Sequence, residues 1–455
     1  MAQGTGLHSV IHKYNTQGPR YTSYPTALEF SPLSSQQTLT NAFDSSWTDA
    51  MSVYVHIPFC HSMCYYCGCN KIVTRHQHKA DNYLDALAKE MAMTTTYMQA
   101  KQVEQCHLGG GTPTFLTIAQ MQRLVALLRA HYHFSEDAQW SIEIDPRSVD
   151  TDYLTELFGL GFRRISLGVQ DVDPDVQIAI NREQDTQHVQ ALITHAKCLG
   201  FTSVNVDLIY GLPHQTPQTF AETLDVIIVL NPERISLFSY AHLPTRFAAQ
   251  RKIKDAWLPD TATKAELMEL AISTLCAKGY VQIGMDHFAK PDDELAIAQQ
   301  NGQLHRNFQG YTTHKHLDML GLGVSAISFI GDQYRQNTKV LHDYCMTLNQ
   351  DKLPSKHGVV LSEDDLLRRA VIMSLMCNMY VDVADIEQRF GIVFTEYFAA
   401  ALALLNPFVE DKLVTMTNTD ITIHAKAKLL VRSVAMCFDA YIGDGNRHNR
   451  FSRVI

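Results

Sequence analysis

The chain has no excess of basic residues: 38 Lys and Arg stand against 47 Asp and Glu, a formal net charge of −9. That balance excludes a surface built to neutralise a nucleic-acid backbone as the main business, leaving room only for a local basic pocket. Bias towards Pro, Gly or Ser is also missing, and 46% hydrophobic with 19% charged residues are the proportions of a folded soluble protein. The opening MAQGTGLHSVIHKYN lacks the apolar core of a secretion signal, and no apolar run approaches the roughly 18 residues of a membrane span. The expectation is a cytoplasmic chain without membrane contact. Thiols there stay reduced, so its ten cysteines are not a disulfide framework. Six of them, Cys106, Cys198, Cys276, Cys345, Cys377 and Cys437, stand singly among apolar neighbours and are expected to act as small buried hydrophobes.

What is present is a regular alternation. At 455 residues the chain outgrows a single core, so a large domain and a smaller one are expected. From residue 51, short β-rich runs alternate with longer helical patterns: 53–57, 103–109, 140–144, 164–169, 204–210 and 234–240, six strands in the manner of βα units. Asp81 is the expected cap of the first intervening helix, Thr117 with Gln120 forms a capping box for the second, and Thr216-Pro217 opens a later one. LGFRRI (160–165) and LGFTSV (199–204) repeat one unit, each closing a helix on glycine and starting a strand. KGYVQI (278–283) predicts a seventh strand-like segment. The fold class is α/β, a partial or complete α/β barrel, with a doubly wound open sheet as the other reading.

Residues 1–50 read as an N-terminal arm, 51–349 as the barrel, 350–359 as a polar linker, and 360–455 as a mainly helical C-terminal domain. In the last, Ser362 and Asp365 start a helix, helical patterns follow at 382–390 and 395–405, and VTMTNTDITI (414–423) predicts a hairpin. This order is winged-helix-like, but no dense basic recognition helix is present, which argues against DNA binding.

One loop breaks the single-cysteine rule. CHSMCYYCGCN (60–70) carries Cys60, Cys64, Cys67 and Cys69, directly after the first predicted strand. Structural zinc uses two short ligand pairs separated by a longer stretch, and no second pair exists; His56, His61 and His76 keep a mononuclear site open. Three close thiolates suit three corners of a cubane iron-sulfur cluster, and the role of Cys69 decides whether the fourth iron is closed for electron storage or open for chemistry. The loop alone does not choose.

With an aromatic before its last cysteine, Cys60-x3-Cys64-x2-Cys67 resembles the signature of radical S-adenosylmethionine (SAM) enzymes. RYTSYPT (20–26), YVHIPFC (54–60), CGCNK (67–71), GGGTPTFL (109–116), GVQD (168–171), DLIYGLP (207–213), YAHLP (240–244), HRNFQGY (305–311) and GLGVSAIS (321–328) together resemble one family within it, the oxygen-independent coproporphyrinogen III oxidases. The motif order supports the resemblance: the cysteine loop follows strand one, GGGTP follows strand two, and Glu143, Gln170, Asp207 and Ala241 fall near the ends of strands three to six, where barrel active sites form.

The resemblance implies a partial (β/α)6 barrel and a 4Fe-4S cluster held by Cys60, Cys64 and Cys67, with an open iron for SAM. It assigns the SAM amino-acid end to Gly110, Gly111 and Thr112, with Glu143 and Arg182 complementing its charges, and the ribose hydroxyls to Gln170 and Asp207. A second SAM matches Ala241, Gln309 and Ile327. Tyr54 lies beside the cluster, and Cys69 serves activity without being a ligand; phenylalanine stands near that point in related haem chaperones, which makes a haem-binding chaperone the alternative. Catalytic roles fall to Tyr54, Cys69, Glu143 and Gln309. The implied reaction converts two propionates of coproporphyrinogen III to vinyl groups by a 5′-deoxyadenosyl radical, giving protoporphyrinogen IX, with an unidentified electron donor and acceptor and a monomeric enzyme. Four substrate carboxylates predict a local basic cluster, for which Arg20, Lys71 and Arg75 are the candidates.

Overall fold

The computed structural model describes residues 13–14, 16–34, 37–314, 317–442 and 451. The outer parts of the expected arm, 1–12, and of the expected C-terminal domain, 443–450 and 452–455, lie outside the described residues. All six predicted strands form: β1 (Ala50–Ile57), β2 (Gln102–Gly110), β3 (Phe134–Ile144), β4 (Arg164–Gln170), β5 (Ser203–Tyr210) and β6 (Arg234–Ser239). They are parallel and pair in chain order, each with the next. A doubly wound sheet reverses its strand order at a switch point, so this order excludes it.

The intervening helices start and stop where their caps dictate. Thr117 caps α2 (Ile118–His131) in a complete capping box with Gln120, and α3 (Thr151–Leu160) and α4 (Thr186–Leu199) end on the left-handed Gly161 and Gly200. Thr216 and Pro217 open α5 (Pro217–Leu230) as expected. Asp81 does not cap: α1 (Lys79–Met98) begins earlier, at His78, and Asp81 lies in its first turn, accepting from Gln120 Nε2 at 2.9 Å. Met121, Leu124 and Leu128 of α2 are fully buried against the sheet. Each is worth roughly 1.5–3 kcal/mol relative to exposure.

The seventh segment is a strand, but not a parallel one. β7 (Val281–Gly284) and β8 (His287–Ala289) form a hairpin in which β8 pairs antiparallel with β6 and β7 lies outermost. On the other flank β11 (Asp318–Leu322) runs parallel to β1, followed by antiparallel β12 (Ile327–Ile330), β13 (Gln333–Asn337) and β14 (Ser355–Val360). Between these flanks a short hairpin, β9 (His305–Asn307) with β10 (Gly310–Thr312), stands apart as its own ribbon. Since β1 and β6 never pair, the barrel is partial. The expected linker is irregular only over 350–354: its second half, 355–359, lies in strand β14, which completes the backbone pairing that β13 would otherwise leave open.

Beyond β14, Ser362 and Asp365 cap α6 (Glu363–Asn378) in a full capping box, and helices Val383–Phe390, Phe394–Tyr397 and Ala399–Glu410 follow. The predicted hairpin pairs Val414–Met416 with Asp420–Ile423, and Tyr380–Asp382 adds a third strand to this wing. The arm is strapped across this unit: Tyr14 stacks on Phe408, Tyr21 Oη donates to Asp439 and Tyr24 Oη accepts from the Ala440 N–H. Two of the six solitary cysteines, Cys106 and Cys377, are buried as expected; Cys198 and Cys276 are exposed, and Cys345 and Cys437 are intermediate. Among the described residues no helix is long and apolar enough to cross a membrane.

Candidate active site

Strand alternation decides what faces the barrel interior. In β2, Cys106 and Leu108 are fully buried in the main core, which leaves Gln105 and His107 for the interior. There they meet Ser141, Ser166 and Asn205 from the next three strands around a polar cavity. Such an interior fits a ligand chamber.

At the top of this chamber Tyr54 stacks on His107, with ring centroids 5.9 Å apart, and its hydroxyl lies 3.1 Å from His56 Nδ1. His56 Nε2 is 3.0 Å from the carbonyl of Asn70, at the end of the cysteine loop. His56 is therefore engaged between strand and loop, and burial lowers its basicity. Burial, with Glu143 nearby, pushes the Tyr54 hydroxyl well above its ordinary value, so it acts as a neutral hydrogen-bonding group. Glu143, from β3, accepts from the Gly110 N–H at 3.1 Å and lies 3.6 Å from His107 Nε2, with its side chain 45% exposed.

GGGTP follows β2 as predicted. Gly110 has φ 119°, and a Cβ on Gly111 would stand 2.7 Å from the Pro58 carbonyl oxygen, so this loop passes closer to the segment leading into the cysteine loop than any side chain allows. Thr112 Oγ1 then donates to Cys60 Sγ at 3.4 Å.

The cysteine loop is held from several sides. Asn181 Nδ2 donates to the Met63 carbonyl and the Tyr65 N–H to that of Ile180, both from the segment after β4. Arg182 Nη1 and Arg147 Nη2 reach Cys64 Sγ at 3.4 and 3.5 Å. Lys71 Nζ donates to the Cys67 carbonyl, and the Cys69 N–H to Cys67 Sγ. A hydrogen bond from the Cys69 thiol lowers the Cys67 thiol to about 6, and the same contact drives Cys69 well up. Burial raises Cys60 to about 11.

These donors fit an anionic iron-sulfur cluster. Three thiols share one loop, and N–H, O–H and guanidinium groups already point at their sulfurs. Among the described residues no three His, Cys, Asp or Glu gather tightly enough for one metal ion. Zinc would draw its ligands within about 4 Å of one another, whereas a cubane spreads its thiolates over separate irons. His61 lies instead against the ring of Phe115, and His76 against His78.

The remaining predicted residues spread along the rim. Gln170 ends β4 at φ 70°, a strained position for a side chain larger than glycine. Asp207 accepts from Ser166 Oγ and Asn205 Nδ2, and burial pushes its carboxyl up to about 6. Ala241 lies two residues past the end of β6, its carbonyl accepting from Gln250 Nε2. Gln309 sits in the β9–β10 turn, its buried Nε2 without a hydrogen-bond partner, and Ile327 begins β12. Arg182 is buried, donating to the Gly168 carbonyl, to Asp145 and to Cys64.

Three groups escaped the sequence reading. Asp145 and Arg147, in the DPR that follows β3, form an ion pair of 2.6 Å beside Cys64, where the charges of Arg182 and Arg147 hold the Asp145 carboxyl down at about 2 against its burial. His107 supports both Tyr54 and Glu143. Its signal was present, a histidine on the opposite face of β2 from Cys106 and Leu108; the ion pair had none, because it depends on where β3 ends relative to a loop some 80 residues earlier.

The comparisons with known proteins converge on this geometry. A family model described as Radical SAM superfamily matches residues 54–227, and one described as HemN C-terminal domain matches 361–430. The oxygen-independent coproporphyrinogen III oxidases of Salmonella typhimurium and Escherichia coli are each 53% identical over 447 residues, 98% of this chain and 98% of theirs. That of Pseudomonas aeruginosa is 46% identical over 453 residues, with the same coverage. The solved coproporphyrinogen III oxidase (HemN) from Escherichia coli, described as a radical SAM enzyme, matches with TM-score 0.92 at 51% identity, covering 95% of this chain and 98% of that one. Identity at this level over almost the full length shows that the chain belongs to the family of oxygen-independent coproporphyrinogen III oxidases, within the radical SAM superfamily.

Proposed function

We propose that the chain converts two propionate side chains of coproporphyrinogen III to vinyl groups without oxygen, giving protoporphyrinogen IX for haem synthesis. The observation that carries this is the meeting, on one rim, of the three-cysteine loop with a glycine loop too close to the segment leading into it for any side chain. When bound, a 4Fe-4S cluster with SAM would supply the 5′-deoxyadenosyl radical chemistry that removes a hydrogen atom from the propionate, and loss of carbon dioxide to form the vinyl group passes one electron to the acceptor.

Cys60, Cys64 and Cys67 hold the cluster, and Arg147, Arg182 and Lys71 offset its negative charge. Gly110, Gly111 and Thr112 take the amino-acid end of SAM. The open oxygens of Glu143 receive the ammonium, Tyr54 packs beside it, and Arg182 acts by fixing Cys64 and the Gly168 carbonyl. Gln170 and Asp207 face the ribose. A second SAM uses Ala241, Gln309 and Ile327; the unpartnered Gln309 Nε2 supports a ligand there. Cys69 tunes Cys67 through its hydrogen bond and is not a ligand. Residues 51–349 form the catalytic unit and 360–455 a cover, and the enzyme works as a cytoplasmic monomer with a separate electron donor and acceptor and no nucleic-acid or membrane partner.

The test is anaerobic reconstitution with iron and sulfide, then dithionite, SAM and coproporphyrinogen III. Formation of 5′-deoxyadenosine together with divinyl product is expected. Cleavage of SAM with no vinyl product would contradict the proposal.

A further inference from the structure

Three arginines, Arg20, Arg306 and Arg432, gather around Asp286. Asp286 lies in the β7–β8 turn, where Oδ1 meets His287 Nδ1 at 2.7 Å and Oδ2 lies 3.7 Å from Arg20 Nη1 of the arm. Arg306 of β9 and Arg432 of the C-terminal unit act on the same carboxylate. Arg306 Nε and Nη1 are buried with no hydrogen-bond partner. Among the described residues three guanidiniums therefore act on this carboxylate, in a chain whose overall charge is −9.

Arg20, Asp286 and Arg432 line a cleft between the arm, the edge of the barrel and the C-terminal unit, whose other walls include Leu237, Met268 and Leu429. The cleft combines two arginines with several apolar walls, a lining that suits an alkyl chain bearing an anion. Its arginines are pre-set. Arg432 donates to the carbonyls of Gly18 and Pro19, which fixes the arm beside Arg20. On the other side Tyr21 is anchored on Asp439. Arg20 Nη2 reaches the carbonyl of Ser239, the last residue of β6, so the cleft adjoins the rim of the reaction chamber. Burial and the like charge of Arg20 draw Arg432 down to about 10.

We propose that this cleft is a carboxylate subsite that grips a non-reacting propionate of the tetrapyrrole, with Arg20 as its fork and Arg432 behind it. The inference rests on the reaction proposed above. A substrate with four carboxylates presents one to the chamber at a time, and the others need anchors outside it; a guanidinium matches a carboxylate with two parallel hydrogen bonds. Arg20 is held only loosely, 3.7 Å from Asp286 and 3.5 Å from the Ser239 carbonyl, whereas Lys71 donates to the Cys67 carbonyl at 2.9 Å and Arg75 is exposed.

The test titrates coproporphyrin III, the oxidised and unreactive counterpart of the substrate, against the reconstituted holoenzyme with a fluorescence readout. Arg20→Gln is expected to raise its Kd about tenfold, to flatten the dependence of Kd on salt, and to leave SAM binding unchanged. Arg20→Lys restores part of the affinity. Leu429→Trp, which fills the apolar wall without touching a charge, weakens binding as well. Native Kd and salt dependence in both Arg20→Gln and Leu429→Trp would overturn the subsite. Absence of turnover by the native enzyme would instead count against the proposed reaction, because the titration reads the cleft without catalysis.

Discussion

Two networks of polar groups flank β1, and they are finished to different degrees. On the helix side, Glu90 of α1 is buried and accepts from the Gly323 N–H, Asn337 Nδ2 and Tyr344 Oη at 2.5–2.8 Å, so both of its oxygens are used. On the chamber side, Glu143 has one backbone N–H, a long approach from His107 and a side chain 45% exposed. Gln309 nearby keeps a buried amide nitrogen with no partner. A buried polar group left unmade costs about 1–3 kcal/mol, which a fold accepts where something else completes the bond. The saturated network is complete within the fold; the unsaturated one has bonding capacity left over, which the proposed ligand would use.

The strongest way to break this comparison is at the thiols. Replacing any one of Cys60, Cys64 and Cys67 with Ser is expected to abolish reconstituted iron and all product formation while the melting temperature of the apoprotein stays near native; retained iron and turnover in Cys64→Ser would remove the loop from the site. Next in size, Glu90→Leu strands three donors and should destabilise the fold by about 3 kcal/mol in denaturant titrations. SAM affinity of its folded fraction should not change, and a loss there would merge the two networks into one.

Glu143→Gln should do the reverse. Loss of one charge-assisted bond weakens SAM binding by about 2 kcal/mol, roughly 30-fold, with stability within about 0.5 kcal/mol of native. Calorimetric titration on the reconstituted protein reads the first and thermal melts the second.

A smaller effect sharpens the contrast through pH. Burial pushes the Glu90 carboxyl from 4.5 up to about 7. A raised carboxyl means that the folded state keeps a proton the unfolded state has released, so stability falls as pH rises from about 4.5 through 7, by on the order of 3 kcal/mol. Glu90→Gln should flatten that part of the stability profile, and an unchanged slope would show that other groups set it.

Much of this was legible in the residues. The six strands and the rim order of their motifs follow from hydrophobic patterning, and the glycine and Thr-Pro signals placed helix ends correctly because caps are local chemistry. What failed was non-local. Asp81 has the chemistry of a cap, but α1 starts at His78 and turns that carboxylate towards Gln120. The polar, proline-broken 350–359 reads as a linker, yet β13 needed a partner. The partners of Arg182, Asp145 and the Gly168 carbonyl, are visible only in the folded chain.

The central claim is that three thiolates from one loop hold a cluster whose fourth metal corner is left for SAM. Electron paramagnetic resonance of the reduced, oxygen-protected protein with and without SAM tests it most directly. The account predicts a 4Fe-4S signal whose g-values shift when SAM is added. A signal indifferent to SAM, or metal analysis finding one zinc per chain and no iron, would contradict it.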